Sequence, residues 1–96
     1  MAIEISKNNH IGTLTINRPD SLNAMNREVL LEFINELKKI QSDKDIRVII
    51  ITGSGEKAFI AGADIKLMQK MNREEALEFA NLGQELANLI EKSDKP

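Results

Sequence analysis

The sequence has no cysteine, tryptophan or tyrosine, and it has one histidine, His10. Without cysteine the chain can form neither a disulfide nor a thiolate metal site. A single histidine cannot build a zinc site by itself, so we expect no bound metal. His10 follows Lys7-Asn8-Asn9 in a polar stretch, and we expect its side chain to be simply solvated.

A basic surface and a long apolar segment are also missing. The formal net charge is −2 and the only aromatic residues are three phenylalanines, which argues against binding to nucleic acid or to an anionic membrane. No unbroken apolar stretch is longer than the one from Val48 to Ile51, which is far below the ~20 residues that span a bilayer. The first residues, Met1 to Glu4, lack the charged and apolar regions of a signal peptide. We therefore expect a cytoplasmic protein.

The composition is that of a globular domain of modest size. Apolar residues make up 42% of the 96 residues and charged residues 29%, values that are ordinary for one soluble domain. Apolar and polar residues alternate weakly over residues 3–6 and 11–16, which predicts two strands. The asparagines between them tolerate positive φ, so we expect the two strands to form a hairpin.

A helix and a strand are predicted next. The helix begins at Asn23 or Asn26, either of which can cap it. Its apolar residues recur at three- and four-residue spacing and are expected to be buried: Leu30, Phe33, Ile34, Leu37 and Ile40. The run IRVIIITG at residues 46–53 is continuous and β-branched, as in a parallel strand covered on both faces. Residues 58–61 look like a short fourth strand or an extended segment.

A second long helix is predicted from Asn72, because Glu75 stands three residues later and completes a capping box. We expect its buried stripe to consist of small and apolar residues: Ala76, Ala80, Gly83, Leu86, Ala87 and Ile90. Gly83 would allow close approach to a neighbouring element. The order of elements then calls for a further strand beside residues 46–52, with this helix as the crossover. We interpret residues 1–96 as the N-terminal part of something longer.

Most familiar catalytic patterns are absent. GSGEK at residues 53–57 has one residue between its glycines, whereas a phosphate-binding loop needs four and a following Lys-Ser or Lys-Thr pair, so a tight turn is the simpler interpretation. No serine or threonine lies in a nucleophile-elbow pattern, and no pair of carboxylates suited to general acid–base catalysis stands out. Asp64 follows a small-residue turn, and we expect it to cap the short helical turn Ile65 to Met68.

The small residues of AFIAGADIK, at positions 58–66, leave the backbone as the group able to act there. A backbone N–H just past a strand, at the start of a helical turn, can lie unpaired and point at an anion. An oxyanion hole works in this way, and one well-placed donor is worth ~10²–10³ in rate. The residues alone also allow, and slightly favour, a close-packed strand-to-helix turn with no ligand.

Two longer stretches resemble the crotonase superfamily. TINRPDSLNAMN at 15–26 and VIIITGSGEKAFIAGADIKLM at 48–68 are similar to its N-terminal third, and the second stretch is closest to the enoyl-CoA hydratases. The resemblance implies an α/β fold: the N-terminal part of a crotonase-type β-β-α spiral, with an N-terminal hairpin, a buried parallel strand and two main helices. It also implies an acyl-coenzyme A thioester as the ligand, with coenzyme A as part of the substrate and no other cofactor.

The same resemblance implies roles for individual residues. The backbone N–H of Ala63, the residue after the glycine of AGAD, would be one of two oxyanion donors. The main chain of Ala61 would meet the adenine. The remaining matched positions belong to the coenzyme A groove and the adjoining substrate-contact stretch: Ser21, Leu22, Ala24, Asp64, Ile65 and Lys66.

The implied activity is hydration, in which water adds across the α,β double bond of a 2-enoyl-CoA thioester with the help of two glutamates. Those glutamates and the second oxyanion donor have no match in these 96 residues, so we expect the chain alone to be inactive. The alternatives are an enoyl-CoA isomerase or acyl-CoA hydrolase of the same superfamily, or a non-catalytic module that binds acyl-CoA or self-associates. Members of the superfamily form trimers and hexamers, and an unfinished sheet exposes a strand edge, so a homo-oligomer is expected.

Overall fold

The computed structural model describes residues 2–96 and contains a three-stranded sheet in the order β1-β2-β3. The elements, in chain order, are β1 (Ile3–Asn8), β2 (Ile11–Ile16), a 3-10 turn (Pro19–Ser21), α1 (Arg27–Ser42), β3 (Val48–Gly53), α2 (Ile65–Met68) and α3 (Arg73–Glu91). No helix within residues 2–96 is both long enough and apolar enough to cross a membrane.

The predicted hairpin is confirmed, with β1 and β2 antiparallel and paired along their whole length. Asn9 and His10 make the turn with φ of 50° and 68°, a conformation that asparagine tolerates well. The His10 carbonyl accepts hydrogen bonds from the N–H groups of Arg47 and Val48, so the same turn sets where β3 begins. The exposed His10 ring places its Nδ1 2.8 Å from the Asp45 carbonyl oxygen, a contact that simple solvation did not predict.

β3 pairs with β2 in parallel, as expected, but only one of its faces is covered. Ile49 and Ile51 pack against the core, whereas Val48 and Ile50, on the opposite face, are 38% and 45% exposed. The prediction of a strand buried on both faces is therefore wrong for residues 2–96. A continuous apolar run cannot show which of its faces has a covering layer, and in this chain the helices cover one.

α1 supplies half of the buried core residues and lies against β1 and β2. Its N-cap is Asn26, whose Oδ1 accepts a 2.8 Å hydrogen bond from the Val29 N–H, so the second of the two predicted starting points is correct. The whole predicted stripe is buried, together with Val29. Phe33 of α1 and Leu14 and Ile16 of β2 are among the largest fully buried side chains.

α3 begins with the predicted capping box. Asn72 Oδ1 accepts a hydrogen bond from the Glu75 N–H at 2.8 Å, and Glu75 Oε1 accepts one from the Asn72 N–H at 3.1 Å. Close to the same ends of the two helices, α1 and α3 are joined by an ion pair between Arg27 and Glu78. Hydrogen bonding to Arg27 holds the pKa of the Glu78 carboxyl below its ordinary value.

The predicted buried stripe of α3 is largely wrong, because Leu86 alone of its members is buried. The apolar side chains of α3 that pack on the core are Phe79, Leu82, Leu86 and Leu89. Two apolar stripes run side by side on this helix, and the one with the larger side chains faces the core because it buries more apolar area. Within residues 2–96, a Cβ at Gly83 would meet no atom within 4 Å, so the expected close approach is not found there.

The segment after α3 lies along the edge of β3 that faces away from β2. The Ile49 N–H donates a 2.9 Å hydrogen bond to the Pro96 carbonyl. Lys95 Nζ donates to the carbonyls of Ile40 and Asp43, at 3.0 and 2.6 Å, where a cation also suits the C-terminal end of α1. These bonds bring residues 95 and 96 to the place where the sequence predicts a further strand.

Replacing Phe33 by alanine tests the core assignment. The side chain is 1% exposed, and removing such a phenylalanine costs about 3–5 kcal/mol, a large share of the stability of a small domain. Phe59 is 54% exposed and is the matched control, so Phe59→Ala should change the free energy of unfolding by less than about 0.5 kcal/mol. Urea unfolding measures both losses, and equal losses in the two variants would contradict the assignment.

Candidate functional site

Two segments that are distant in sequence lie side by side beyond the ends of β2 and β3. Residues 22–25 and 61–64 run parallel, joined by a single β-bridge between Met25 and Ala63. The backbone hydrogen bonds that join them run from Ala61 N–H to Leu22 O at 3.1 Å, from Met25 N–H to Gly62 O at 2.8 Å and from Asp64 N–H to Met25 O at 2.8 Å. This pairing sets the direction of the peptide groups in both segments.

The backbone N–H of Ala63 has no hydrogen-bond partner among residues 2–96. In a parallel bridge the bonded peptide groups belong to the residues on either side, here Gly62 and Asp64. The N–H and C=O of Ala63 therefore point away from Met25. Ala63 is half-buried, and its N–H is free to bond to a ligand at no cost to the protein's own pairing.

Gly62 gives the segment its shape at the bridge. Its φ is 108°, in the region that residues with a Cβ avoid. A Cβ at this position would meet no atom within 4 Å. The backbone conformation, rather than crowding, is therefore the reason for a glycine between Ala61 and Ala63.

Asp64 has the capping role predicted for it. Its Oδ1 accepts a 3.4 Å hydrogen bond from the Leu67 N–H at the start of α2. Its Oδ2 lies 3.8 Å from Nη2 of Arg18, and the two side chains are 25% and 21% exposed. The Arg18 guanidinium also donates to the Ala24 carbonyl. Arg18 thus links the turn before α1 to the residue that directly follows Ala63.

Asn23 is the one buried polar residue within the described part of the chain, with 1% exposure. Its Oδ1 accepts from the Arg18 N–H at 2.9 Å, and its Nδ2 donates to the carbonyls of Ser54 and Ala58, each at 3.0 Å. Its φ is 58°, a left-handed conformation that asparagine tolerates. Asn23 does not cap α1, because these three contacts occupy its side chain.

Gly53 ends β3 where the chain passes close to this asparagine. A Cβ on Gly53 would lie 2.4 Å from the Phe59 carbonyl oxygen and 2.6 Å from Nδ2 of Asn23, and side chains do not tolerate such distances. The glycine is therefore required by close approach. The following residues form the expected tight turn, with Gly55 at φ 82°.

A cavity of about 360 Å³ lies between the turn that follows β2 and the turn that follows β3. Its lining residues are Pro19, Leu22, Ser54, Gly55, Glu56, Lys57 and Ala58. Leu22 is the only one of the predicted groove residues among them. Its side chain is 44% exposed, so the cavity has an apolar wall that a ligand can reach.

The predicted site residues fall into two groups. One group lies along the paired segments or is joined to them through Arg18: Leu22, Ala24, Ala61, Ala63 and Asp64. The other group has exposed side chains that make no side-chain hydrogen bond or ion pair within residues 2–96: Ser21 in the 3-10 turn, whose carbonyl accepts from the Ala24 N–H at 3.0 Å, and Ile65 and Lys66 on α2. Five of the eight residues therefore belong to the paired segments, and the other three flank them.

Three residues at the site were not predicted from the sequence: Arg18, Asn23 and Lys57. Asparagine is a common residue in left-handed turns, and this was a usable signal for Asn23. Its burial, however, arises only when three separate segments meet around it. Residues 2–96 contain no group of three or more side chains that could hold a metal ion.

Comparison with known proteins gives one family. The family model described as Enoyl-CoA hydratase/isomerase matches residues 6–96. The chain is 44% identical over 94 residues to the crotonyl-CoA hydratase of Syntrophomonas wolfei, a match that covers 98% of the chain and 36% of that protein. It is 39% identical over 92 residues to the short-chain-enoyl-CoA hydratase of Clostridium acetobutylicum, covering 96% of the chain and 35% of that protein. The chain thus spans little more than a third of these relatives.

Solved structures have the same fold. The crystal structure of an enoyl-CoA hydratase from Bacillus anthracis matches the whole chain and 38% of that protein, with a TM-score of 0.95 at 31% identity. The enoyl-CoA hydratase from Thermoplasma volcanium matches the whole chain and 38% of that protein, with a TM-score of 0.93 at 36% identity. The predicted α/β fold of the crotonase type is confirmed by these likenesses.

Gly62→Ala should weaken the bridge without introducing a clash. Holding an alanine at φ 108° costs roughly 1–3 kcal/mol. Gly83→Ala is the matched control, because the space around Gly83 is also open but the residue lies inside α3. It should raise the free energy of unfolding by roughly 0.5–1 kcal/mol. Thermal unfolding compares the two, and a Gly62→Ala protein as stable as the parent would show that the φ is not imposed.

Proposed function

The chain belongs to the enoyl-CoA hydratase/isomerase family, and from that premise we propose that it carries one half of an acyl-CoA site. In this proposal the Ala63 N–H donates a hydrogen bond to the carbonyl oxygen of the thioester. The supporting observation is that this N–H is unpaired between two peptide groups that are both bonded to Met25. Because its neighbours are fixed, the donor keeps its direction when a ligand approaches.

The chemistry of hydration matches a backbone donor. As the oxygen of water bonds to the β-carbon, electrons move through the double bond and negative charge develops on the thioester oxygen. A proton then adds to the α-carbon, and the water gives up a proton. An N–H aimed at the charged oxygen stabilises the enolate without taking up a proton, and one such donor is worth ~10²–10³ in rate. The second donor and the acid–base groups have no assignment within this chain.

We propose that coenzyme A lies along the turn between β2 and α1. Leu22 provides apolar contact at the cavity beside this turn, and Ser21 and Ala24 would extend the groove along the chain on either side of Leu22, outside the cavity lining. The small side chain of Ala61 leaves its main chain open to a flat ring. Lys57 at the same cavity is a cation suited to a phosphate of the coenzyme.

The acyl portion lies on the other side of the bridge in this proposal. Asp64 caps α2 and keeps the start of that helix against Arg18, while Ile65 and Lys66 present exposed side chains next to Ala63. An apolar residue beside the donor suits an alkyl chain. These three residues would therefore adjoin the substrate rather than take part in the proton transfers.

Hydration is favoured over isomerisation or acyl-CoA hydrolysis because the relatives that are 44% and 39% identical are named as hydratases of crotonyl-CoA and of short-chain enoyl-CoA. Their names point to short 2-enoyl thioesters as the first substrates to try. The Ala63 donor does not distinguish hydration from isomerisation or hydrolysis, since each of the three reactions passes through a negatively charged thioester oxygen. Assembly into a homo-oligomer and a cytoplasmic location stay predictions.

Butyryl-CoA, a saturated thioester that cannot be hydrated, tests the donor by NMR titration of the 15N-labelled chain. We expect the Ala63 amide resonance to move downfield and the resonances of Leu22 and Ala61 to move as the groove fills. Coenzyme A without an acyl group is the control, and it should perturb Leu22 and Ala61 while leaving Ala63 in place. Saturable shifts at Leu22 with no acyl-dependent change at Ala63 would contradict the assignment.

The 96-residue chain should not hydrate crotonyl-CoA above the rate in buffer. One oxyanion donor and the acid–base carboxylates are unassigned in it, and acid–base groups alone typically contribute 10²–10⁴ in rate. Loss of the enoyl thioester absorbance measures the reaction, with the Clostridium acetobutylicum relative as a positive control. Steady turnover by the chain would show that its own residues complete the site.

A further inference from the structure

The Asn23 side chain connects the two segments of the candidate site from inside the fold. It bonds on one side to the Arg18 N–H and on the other to the carbonyls of Ser54 and Ala58. Asn23 is 1% exposed, and the three hydrogen bonds themselves are part-buried. Removing the amide would leave these part-buried groups without their protein partner, and an unmade hydrogen bond is costly where water has limited access.

The position of Asn23 in the chain matters as much as its bonds. It lies between Leu22 and Met25, the two residues whose backbone bonds hold residues 61–64. Its Nδ2 holds Ala58, three residues ahead of that stretch. One side chain therefore links the residues just ahead of the second segment to the middle of the first.

We propose that Asn23 is a positioning residue: the hydrogen bonds from its Nδ2 to the Ser54 and Ala58 carbonyls hold residues 58–64 in the conformation that leaves the Ala63 N–H unpaired. The inference rests on the proposed function for what that N–H does, and on these contacts alone for how it is held. Replacing an asparagine that merely added stability would lower amide protection evenly across the whole fold. Replacing a positioning residue would lower the protection of the amides in the bridge first.

Two substitutions at Asn23 distinguish the contribution of its Nδ2 donor from that of its Oδ1 acceptor. Asn23→Asp keeps an oxygen to accept from the Arg18 N–H but replaces the Nδ2 donor with an oxygen that faces two carbonyls. Asn23→Ala removes both functions. Asn26→Ala is the matched control, because it removes the cap from the Val29 N–H and destabilises the start of α1, while the side-chain hydrogen bond of Asn26 goes to Val29 and not to residues 58–64.

Amide hydrogen exchange, resolved at each residue by NMR, is the measurement. In both Asn23 variants we expect the protection of the Met25 and Asp64 amides to fall by about tenfold or more relative to the amides of β2. Asn26→Ala should leave that ratio unchanged. The Arg18 amide should keep its protection in Asn23→Asp and lose it in Asn23→Ala. Unchanged protection at Met25 and Asp64 in the Asn23 variants would overturn the proposal.

The parent chain gives a second test that does not depend on any variant folding. The Asn23 Nδ2 protons should show the same protection as the Met25 and Asp64 amides, because one opening event exposes all of them. Side-chain protons protected about tenfold less than those amides would show that the Nδ2 bonds open without releasing the segment, and the proposal would fail.

Butyryl-CoA distinguishes this inference from the proposed function. If the Ala63 resonance of the parent chain responds to the thioester, its response should weaken in Asn23→Asp and persist in Asn26→Ala. If the parent chain does not respond while the exchange results hold, the thioester assignment fails and the positioning by Asn23 stands.

Discussion

The parallel bridge between Met25 and Ala63 is the contact on which the candidate site depends. Its two hydrogen bonds use the peptide groups on either side of Ala63 and leave that residue's own N–H without a protein partner. The bridge in turn needs a glycine at φ 108° before Ala63 and the buried amide of Asn23 behind it. An unpaired backbone donor is thus produced by restraints on the residues beside it.

Local signals in the sequence were sufficient for much of the fold. The hairpin, the Asn26 cap and the Asn72 capping box each depend on residues within a few positions of one another, and all three are present. The Asp64 cap on α2 belongs to the same class. The stripe of α1 was also predictable, because a single apolar stripe with three- and four-residue spacing leaves one choice of buried face.

Features that depend on distant contacts were not predictable in this way. α3 carries two apolar stripes, and only packing on the core selects Phe79 and its neighbours over the small residues. Both faces of β3 are apolar, and the sequence cannot show that one lacks a cover. In the sequence, Asn23 has the character of a helix cap. In the structure, its buried side chain bonds to Ser54 and Ala58, which lie 31 and 35 residues further along the chain. In the candidate site, a resemblance pointed to the Ala63 N–H, whose role as an oxyanion donor stays a prediction, while the residues that hold it were not predicted.

Exchange of the Ala63 amide in the ligand-free chain tests the central claim most directly. The account predicts that this amide exchanges near the rate of an unstructured peptide, while the amides of Met25 and Asp64 on either side of the bridge are protected. Saturation with butyryl-CoA should then slow the exchange of Ala63. An Ala63 amide that is as well protected as that of Asp64 before any ligand is added would contradict the account.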